Sequence, residues 1–410
     1  MVKINPDRLL SDLHTLRTFG TYKTGVHRPT YSAIDMKARR WLVERMIEAG
    51  LKASIDGIGN VIGKSPAPGP KLLLGSHVET QSYGGWLDGA MGVIFAIEIA
   101  RAVAEDPALQ DCGVDAAAWA DEEGHYMPFI GSRSYIGDVT EAEIDNIKCK
   151  HDGTRLRHAL ANAGLAGLPR ADLETDRYLG FLEAHIEQGP TLESMGQKIG
   201  VVTSIVGTWQ YEIVAEGIQN HAGTTAMSLR RDAGRALIKL AHSIDQRFTE
   251  IAAKRSVWTI GDLRFEPGKP AIVPGRARML FQFRDSNLHQ LASFAAAFDD
   301  LVAAVAADDP CSITAKQLSA SNPTLMHPRF QDALSTAAEK HVPGLHQRMP
   351  SGAGHDAQIL ASVMPAGMMF IPSIGGISHH WSENSHESDI VIGGQVLACA
   401  VGDILANGHT

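Results

Sequence analysis

The sequence is poor in cysteine, in positive charge and in unbroken apolar runs. Its four cysteines, Cys112, Cys149, Cys311 and Cys399, are scattered and form no CxxC pair. That spacing speaks against a disulfide framework and reads as reduced thiols in a reducing compartment. A formal net charge of −9 argues against the basic patch of a nucleic-acid binder. No block of like charges marks an interaction tail. No segment offers the ~18 uninterrupted apolar residues of a membrane span. The N-terminal MVKINPDRLLSDLHTL has charges where a signal peptide needs an apolar stretch. The expectation is a cytoplasmic protein that meets a small-molecule substrate, with no nucleic acid and no membrane as partner.

Glycine, by contrast, is plentiful at 40 residues, and many glycines fall where strands should end. A chain of 410 residues exceeds one ordinary core and implies two domains. Asn5-Pro6-Asp7 ahead of Leu9, Leu10, Leu13 and Leu16 predicts a capped amphipathic helix. A second helix is predicted from Tyr31 to Gly50, with Ala38, Trp41, Leu42, Met46 and Ile47 on its apolar face. Short apolar runs at 71–75, 114–120 and 178–184 read as buried strands, each followed at once by polar residues. Helices alternating with such strands predict an α/β sheet, with its site just past the strand ends. Gly57, Gly59 and Gly63 imitate a dinucleotide-binding fingerprint, but the last glycine is misplaced and no helix pattern follows, so a hairpin is predicted there.

The middle of the chain reads differently. Gln210–Glu216, Trp258–Phe265 and Arg276–Phe283 alternate apolar and polar residues, as half-exposed antiparallel strands do. Helices are predicted at about 229–248 and 288–307. The expected fold class is therefore α/β: a discontinuous domain of 1–209 and 326–410 with a central sheet flanked by helices, and an inserted, smaller α+β domain of 210–325.

Chemistry-bearing side chains gather past the strands. His77 follows the run at 71–75, with Asp88 in the glycine-rich loop beyond it. Glu122 and Glu123 follow 114–120, His185 follows 178–184, and His379 follows the apolar Met368–Ile371. Imidazoles and carboxylates are the ligands of zinc and similar ions. A single histidine after a strand is more often a hydrogen-bonded surface residue; several arriving at one sheet edge point to a metal site.

The segments GSHVET (75–80), GGWLDGAMGV (84–93), DEEG (121–124), HIEQGP (185–190), NHAGTT (220–225), RRDA (230–233), SGAGHDAQ (351–358) and PSIGGISH (372–379) run in order along nearly the whole chain. Together they resemble the hydantoinase/carbamoylase family of dinuclear metal amidases. That group includes N-carbamoyl-L-amino-acid hydrolases, allantoate amidohydrolases and β-ureidopropionases, and is related to zinc exopeptidases and aminoacylases. The resemblance implies a zinc-exopeptidase-like catalytic domain with a mixed sheet, and a role in dimerisation for the inserted (lid) domain. It implies two divalent ions per subunit, zinc or manganese, with cobalt or nickel as alternatives. Asp88 would bridge them, His77 and His185 would complete one site, and Glu123 and His379 the other. Glu122 would be the general base and His221 of a partner subunit an oxyanion donor in a homodimer. Arg284 would grip a substrate carboxylate, with Gln188 and His355 lining the pocket.

Two positions depart from the family pattern. Glu79 stands where an aspartate usually orients the ligand histidine, and Ala271 stands where an asparagine usually helps to bind the substrate carboxylate. Trp86 and Trp381 bring bulk near the site, as pocket lining or as core. His125 reads as pointing into a loop, and His380 and His386 as surface residues or as supports of the neighbouring ligand. The expected activity is hydrolysis of an N-carbamoyl, ureido or related non-peptide amide. The alternatives are an aminoacylase or dipeptidase activity and a metal-dependent binding protein without turnover.

Overall fold

The computed structural model describes residues 1–407. The chain forms two compact units, Met1–Thr203 with Leu325–Thr410, and Ser204–Thr324.

The first unit is built on a nine-stranded mixed sheet. Four central strands run parallel in the order Ala366–Ile371, Tyr178–Ile186, Lys71–His77, Gly113–Trp119. Antiparallel strands flank them: Ile199–Ile205 on one side, then Val61–Lys64 and Lys52–Ile55 on the other. Lys71–His77 and Gly113–Trp119 are buried at every position. Strands covered on both faces lose the alternation of a half-exposed strand, which is why they read as continuous apolar runs. Val61–Lys64 and Lys52–Ile55 are the hairpin expected around Gly57–Gly63.

Helices cover the sheet, and their starts follow local chemistry. Pro6–Arg17 begins with proline in its first turn, and the Asn5 side chain accepts the Arg8 N–H at 3.1 Å. Ser32 caps Ala33–Glu48 in the same way. Ala90–Glu105 is buried along almost its whole length and packs on three of the parallel strands. Glu387–Ala406 is likewise mostly buried.

The second unit holds a four-stranded antiparallel sheet in the order Val257–Glu266, Arg276–Asp285, Gly207–Glu216, Ser312–Ala320. Ala277, Met279, Phe281 and Phe283 point to one face of it, against helices Ala233–Ile251 and Leu288–Asp308. Phe248 and Phe294 stack there with centroids 4.3 Å apart. The unit starts at Ser204 rather than 210, because Gly207–Glu216 is paired along its whole length, from Gly207 opposite Asp285 onwards. Leu288–Asp308 and Glu387–Ala406 are long and apolar enough to cross a membrane by length and composition. Each also packs on its own unit's sheet.

Candidate metal centre

The first unit gathers its titratable groups at the C-terminal ends of the four parallel strands, where an open α/β sheet places its site. His77 is the last residue of its strand and His185 lies one place from the end of its own. Glu122 and Glu123 follow Gly113–Trp119 across a turn at Asp121, which has φ 55°. The Asp121 carboxylate accepts the main-chain N–H groups of His125, Tyr126 and Met127 and the Thr30 hydroxyl, and so fixes the loop.

Asp88 lies at the centre. Its Oδ1 is 3.1 Å from His185 Nε2 and 3.6 Å from His77 Nε2. Its Oδ2 is 3.3 Å from His379 Nε2, which is itself 3.8 Å from Glu123 Oε2. Two ligand sets result, His77, Asp88, His185 and Asp88, Glu123, His379. Donor atoms bound tetrahedrally at ~2.0–2.1 Å from a zinc-like ion stand roughly 3.3 Å apart, which the observed separations bracket. The His77 Nδ1 faces the Glu79 carbonyl at 3.1 Å and the His185 Nδ1 faces the Ile186 carbonyl at 2.9 Å. Each Nδ1 therefore donates, leaving the Nε2 lone pair toward Asp88. The Gly89 N–H also approaches His185 Nε2, at 3.2 Å. Lone pairs facing carboxylate oxygens need a proton or a cation between them, so the donor set fits divalent ions.

The electrostatics agree. Burial works against a charged Asp88, but hydrogen bonds from His185, His379 and His77 hold its carboxyl well below the usual range. The bond to Asp88 raises His379 to about 9 against burial, with Glu123 adding to the rise. Glu122 lies with Oε2 3.5 Å from His77 Nε2. Burial pushes its carboxyl well above the ordinary value, Glu123, Asp356 and Asp88 push it further, and His77 opposes them.

Gln188, at φ 58°, donates from Nε2 to Asp88 Oδ2 at 3.1 Å and to the Ser378 hydroxyl at 3.0 Å. His355 stands edge-on to His185 with centroids 4.5 Å apart, and burial followed by the charge of His185 drives its pKa well below the usual imidazole value. His221 and Arg284 belong to the second unit. His221 is exposed, and its Nδ1 accepts the Gly223 and Thr224 N–H groups at 3.0 and 3.2 Å. Its neutral ring therefore carries the proton on Nε2, as a donor must. Arg230 holds that loop through the Ala222 and Thr225 carbonyls. Arg284 lies on Arg276–Asp285, where burial lowers its pKa.

Four residues around the site are also placed. The Glu79 side chain does not orient His77: the ring bonds the Glu79 main-chain carbonyl, and the nearer carboxylate oxygen is 3.7 Å away. His125 is buried within the loop that follows Glu123, with Nδ1 3.0 Å from the Thr30 hydroxyl. Trp86 is core, donating to Asn384 and stacked on His14. Trp381 is half-buried, with the Lys23 ammonium 4.2 Å from its ring centre.

Glu383 was not singled out from the sequence. It is buried, and its Oε1 accepts the Asp88 and Leu87 N–H groups at 3.1 and 3.4 Å while Oε2 accepts the Ser378 hydroxyl at 2.8 Å. It thus ties the central aspartate to the loop that carries His379. Burial, then the charge of Asp88, raise it to about 8. Gln81 was also missed; its side-chain amide holds Glu123 Oε2 at 2.7 Å.

Residues 74–403 match peptidase family M20/M25/M40. An amidase of the hydantoinase/carbamoylase family from Burkholderia phymatum superposes with a TM-score of 0.92 at 44% identity, covering 99% of each chain. The chain belongs to the hydantoinase/carbamoylase family. It is 32% identical to an N-carbamoyl-L-amino-acid amidohydrolase of Paenarthrobacter aurescens, over 96% of this chain and 97% of that one. It is 33% identical to an allantoate amidohydrolase of Escherichia coli, over 93% and 94%. This family member is an amidohydrolase of non-peptide C–N bonds with two candidate metal sites that share Asp88.

Proposed function

We propose that the chain hydrolyses an N-carbamoyl, ureido or related amide bond in a small carboxylate-bearing compound. The observation that carries this reading is the division of the Asp88 carboxylate, one oxygen toward His77 and His185 and the other toward His379, with Glu122 alongside. His77, Asp88 and His185 would hold one divalent ion, and Asp88, Glu123 and His379 the other, with zinc or manganese matching the donors. Bound there, the ions supply Lewis acidity and a water that is easily deprotonated.

The chain's own residues do the rest. Glu122 accepts the proton of the attacking water as its hydroxyl oxygen adds to the carbonyl carbon. It returns that proton to the nitrogen as the C–N bond breaks. Burial raises the Glu122 carboxyl above its ordinary value, which makes it a stronger base toward water than an exposed carboxylate. Gln188 fixes the Asp88 carboxylate through its hydrogen bond to Oδ2. His221 of a partner subunit donates from Nε2 to the developing oxyanion, and Arg284 pairs with the substrate carboxylate. We further propose a homodimer formed through the second unit.

The test is turnover by protein reconstituted with Mn²⁺ or Zn²⁺ on a panel of N-carbamoyl, ureido and N-acyl amino compounds. Cleavage of carbamoyl or ureido members is expected. Glu122→Gln should keep its metals and lower kcat by about 10²–10⁴-fold. Turnover confined to N-acyl amino acids or dipeptides would replace the reading with an aminoacylase one. Near-normal kcat in Glu122→Gln would remove Glu122 as the base.

A further inference from the structure

We propose that the buried Arg39–Glu79 pair is a positioning device for Glu122, acting through the Glu122 main-chain amide. The proposal rests on Glu122 being the base.

Arg39 and Glu79 are both fully buried. The two oxygens of Glu79 are separately committed. Oε2 takes the Arg39 Nη2–H at 2.6 Å, and Oε1 takes the Glu122 N–H at 2.6 Å. Arg39 is held in turn by the rest of its guanidinium. Its Nε lies 3.0 Å from both oxygens of Asp35, and its Nη1 reaches the carbonyls of Gly59 at 2.9 Å and Trp119 at 3.3 Å. Trp119 ends the strand that leads to Glu122. One guanidinium therefore clamps the strand end and, through Glu79, the amide just past the left-handed turn at Asp121. The segment that projects the base is fixed on both sides of that turn.

Satisfying one buried amide does not require this arrangement. A carbonyl or a water would do so without taking an Asp–Arg–Glu set out of solvent, which is expensive unless geometry repays it. The planar fork of arginine supplies that geometry. The length of residue 79 matters as well. An aspartate is one methylene shorter and cannot keep both partners without moving the main chain. Substituting Glu79 should thus alter what Glu122 does rather than what His77 binds, since the His77 ring is oriented by the Glu79 carbonyl, which every residue retains.

The decisive variants are Glu79→Gln and Glu79→Asp in the full-length, Mn²⁺-loaded enzyme. Glutamine offers one acceptor where two are needed. Metal content, kcat and KM are measured on the best substrate of the panel. Hydrogen exchange of the segment around Glu122 is measured without substrate. A positioning role predicts kcat per metal-loaded site down about 10–100-fold, KM and metal content kept, and faster exchange around Glu122. Arg39→Lys, which keeps the charge and loses the fork, should move the same quantities if either Glu79 variant fails to fold. Unchanged exchange with unchanged kcat per loaded site overturns the proposal. So does loss of metal with kcat per loaded site intact, which would make the pair a support for His77. A Glu122→Gln enzyme with normal kcat is a different result: it removes the base and leaves the exchange measurement to report on the clamp.

Discussion

His379 differs from the other candidate ligand histidines in its exposure. Half of its side chain is open to solvent (51%), against 2% and 1% for His77 and His185. It can therefore exchange its proton with bulk water directly. With its pKa raised to about 9 by Asp88, His379 is protonated at neutral pH until an ion replaces the proton. Metal binding should then release protons at pH 7, and affinity should climb with pH up to about 9. The sign for the metal-free fold is the opposite. The His379–Asp88 attraction is fully present below the ordinary imidazole value of 6.5 and is lost as pH rises through about 9. Calorimetry of metal binding in two buffers of different ionisation enthalpy measures the proton count, and a count of zero would contradict the assignment. The candidate ligands were legible in the sequence because their residue types sit directly past apolar runs. Glu383 and Arg39 were not. Each acts on a main-chain group brought near only by tertiary folding, and their neighbours in sequence, Trp-Ser-Glu-Asn and Lys-Ala-Arg-Arg, carry no spacing that announces it.

At the scale of the element, the start of Ala90–Glu105 matters most. The residue before it, Gly89, has φ 65° and no capping side chain. A Cβ there would lie 2.4 Å from His77 Nε2, so the helix can begin beside the ligand ring only with glycine. Gly89→Ala should displace that ring and empty the His77–Asp88–His185 set. Alanine at φ 65°, ψ −47° lies outside the regions open to L-residues, so Tm should fall as well. Metal analysis after dialysis decides the matter, and full retention of two ions would show that the ring has room to move. Gly85 is bound in a similar way to Glu383, since its Cβ would fall 1.8 Å from Glu383 Oε1. The helices and buried strands were readable because periodicity and burial coincide in them. The loops that tie the site together were not, because their conformations depend on partners hundreds of residues away, such as Glu383 on Asp88.

At the scale of the whole molecule, the second unit carries His221 and Arg284 and the first carries the candidate metal ligands. If His221 serves the site of a partner subunit, mixing His221→Ala with Glu122→Gln protein under subunit exchange should restore part of the activity, since one site of each mixed dimer is intact. No recovery despite proven exchange would mean that His221 acts within its own subunit or not at all. The sheet order has a separate consequence for how the protein is made. Ala366–Ile371 lies between Tyr178–Ile186 and Ile199–Ile205, so the strand that completes the middle of the first sheet is synthesised well after both of its neighbours. A nascent chain that has emerged through residue 205 already possesses His77, Asp88 and His185, but it has a gap in its sheet and lacks His379. Until residues 366–379 have emerged, the growing polypeptide carries four candidate metal-binding side chains, Glu123 included, beside two unpaired strand edges, a state in which early capture of a cation and protection by a chaperone would compete for the same surface.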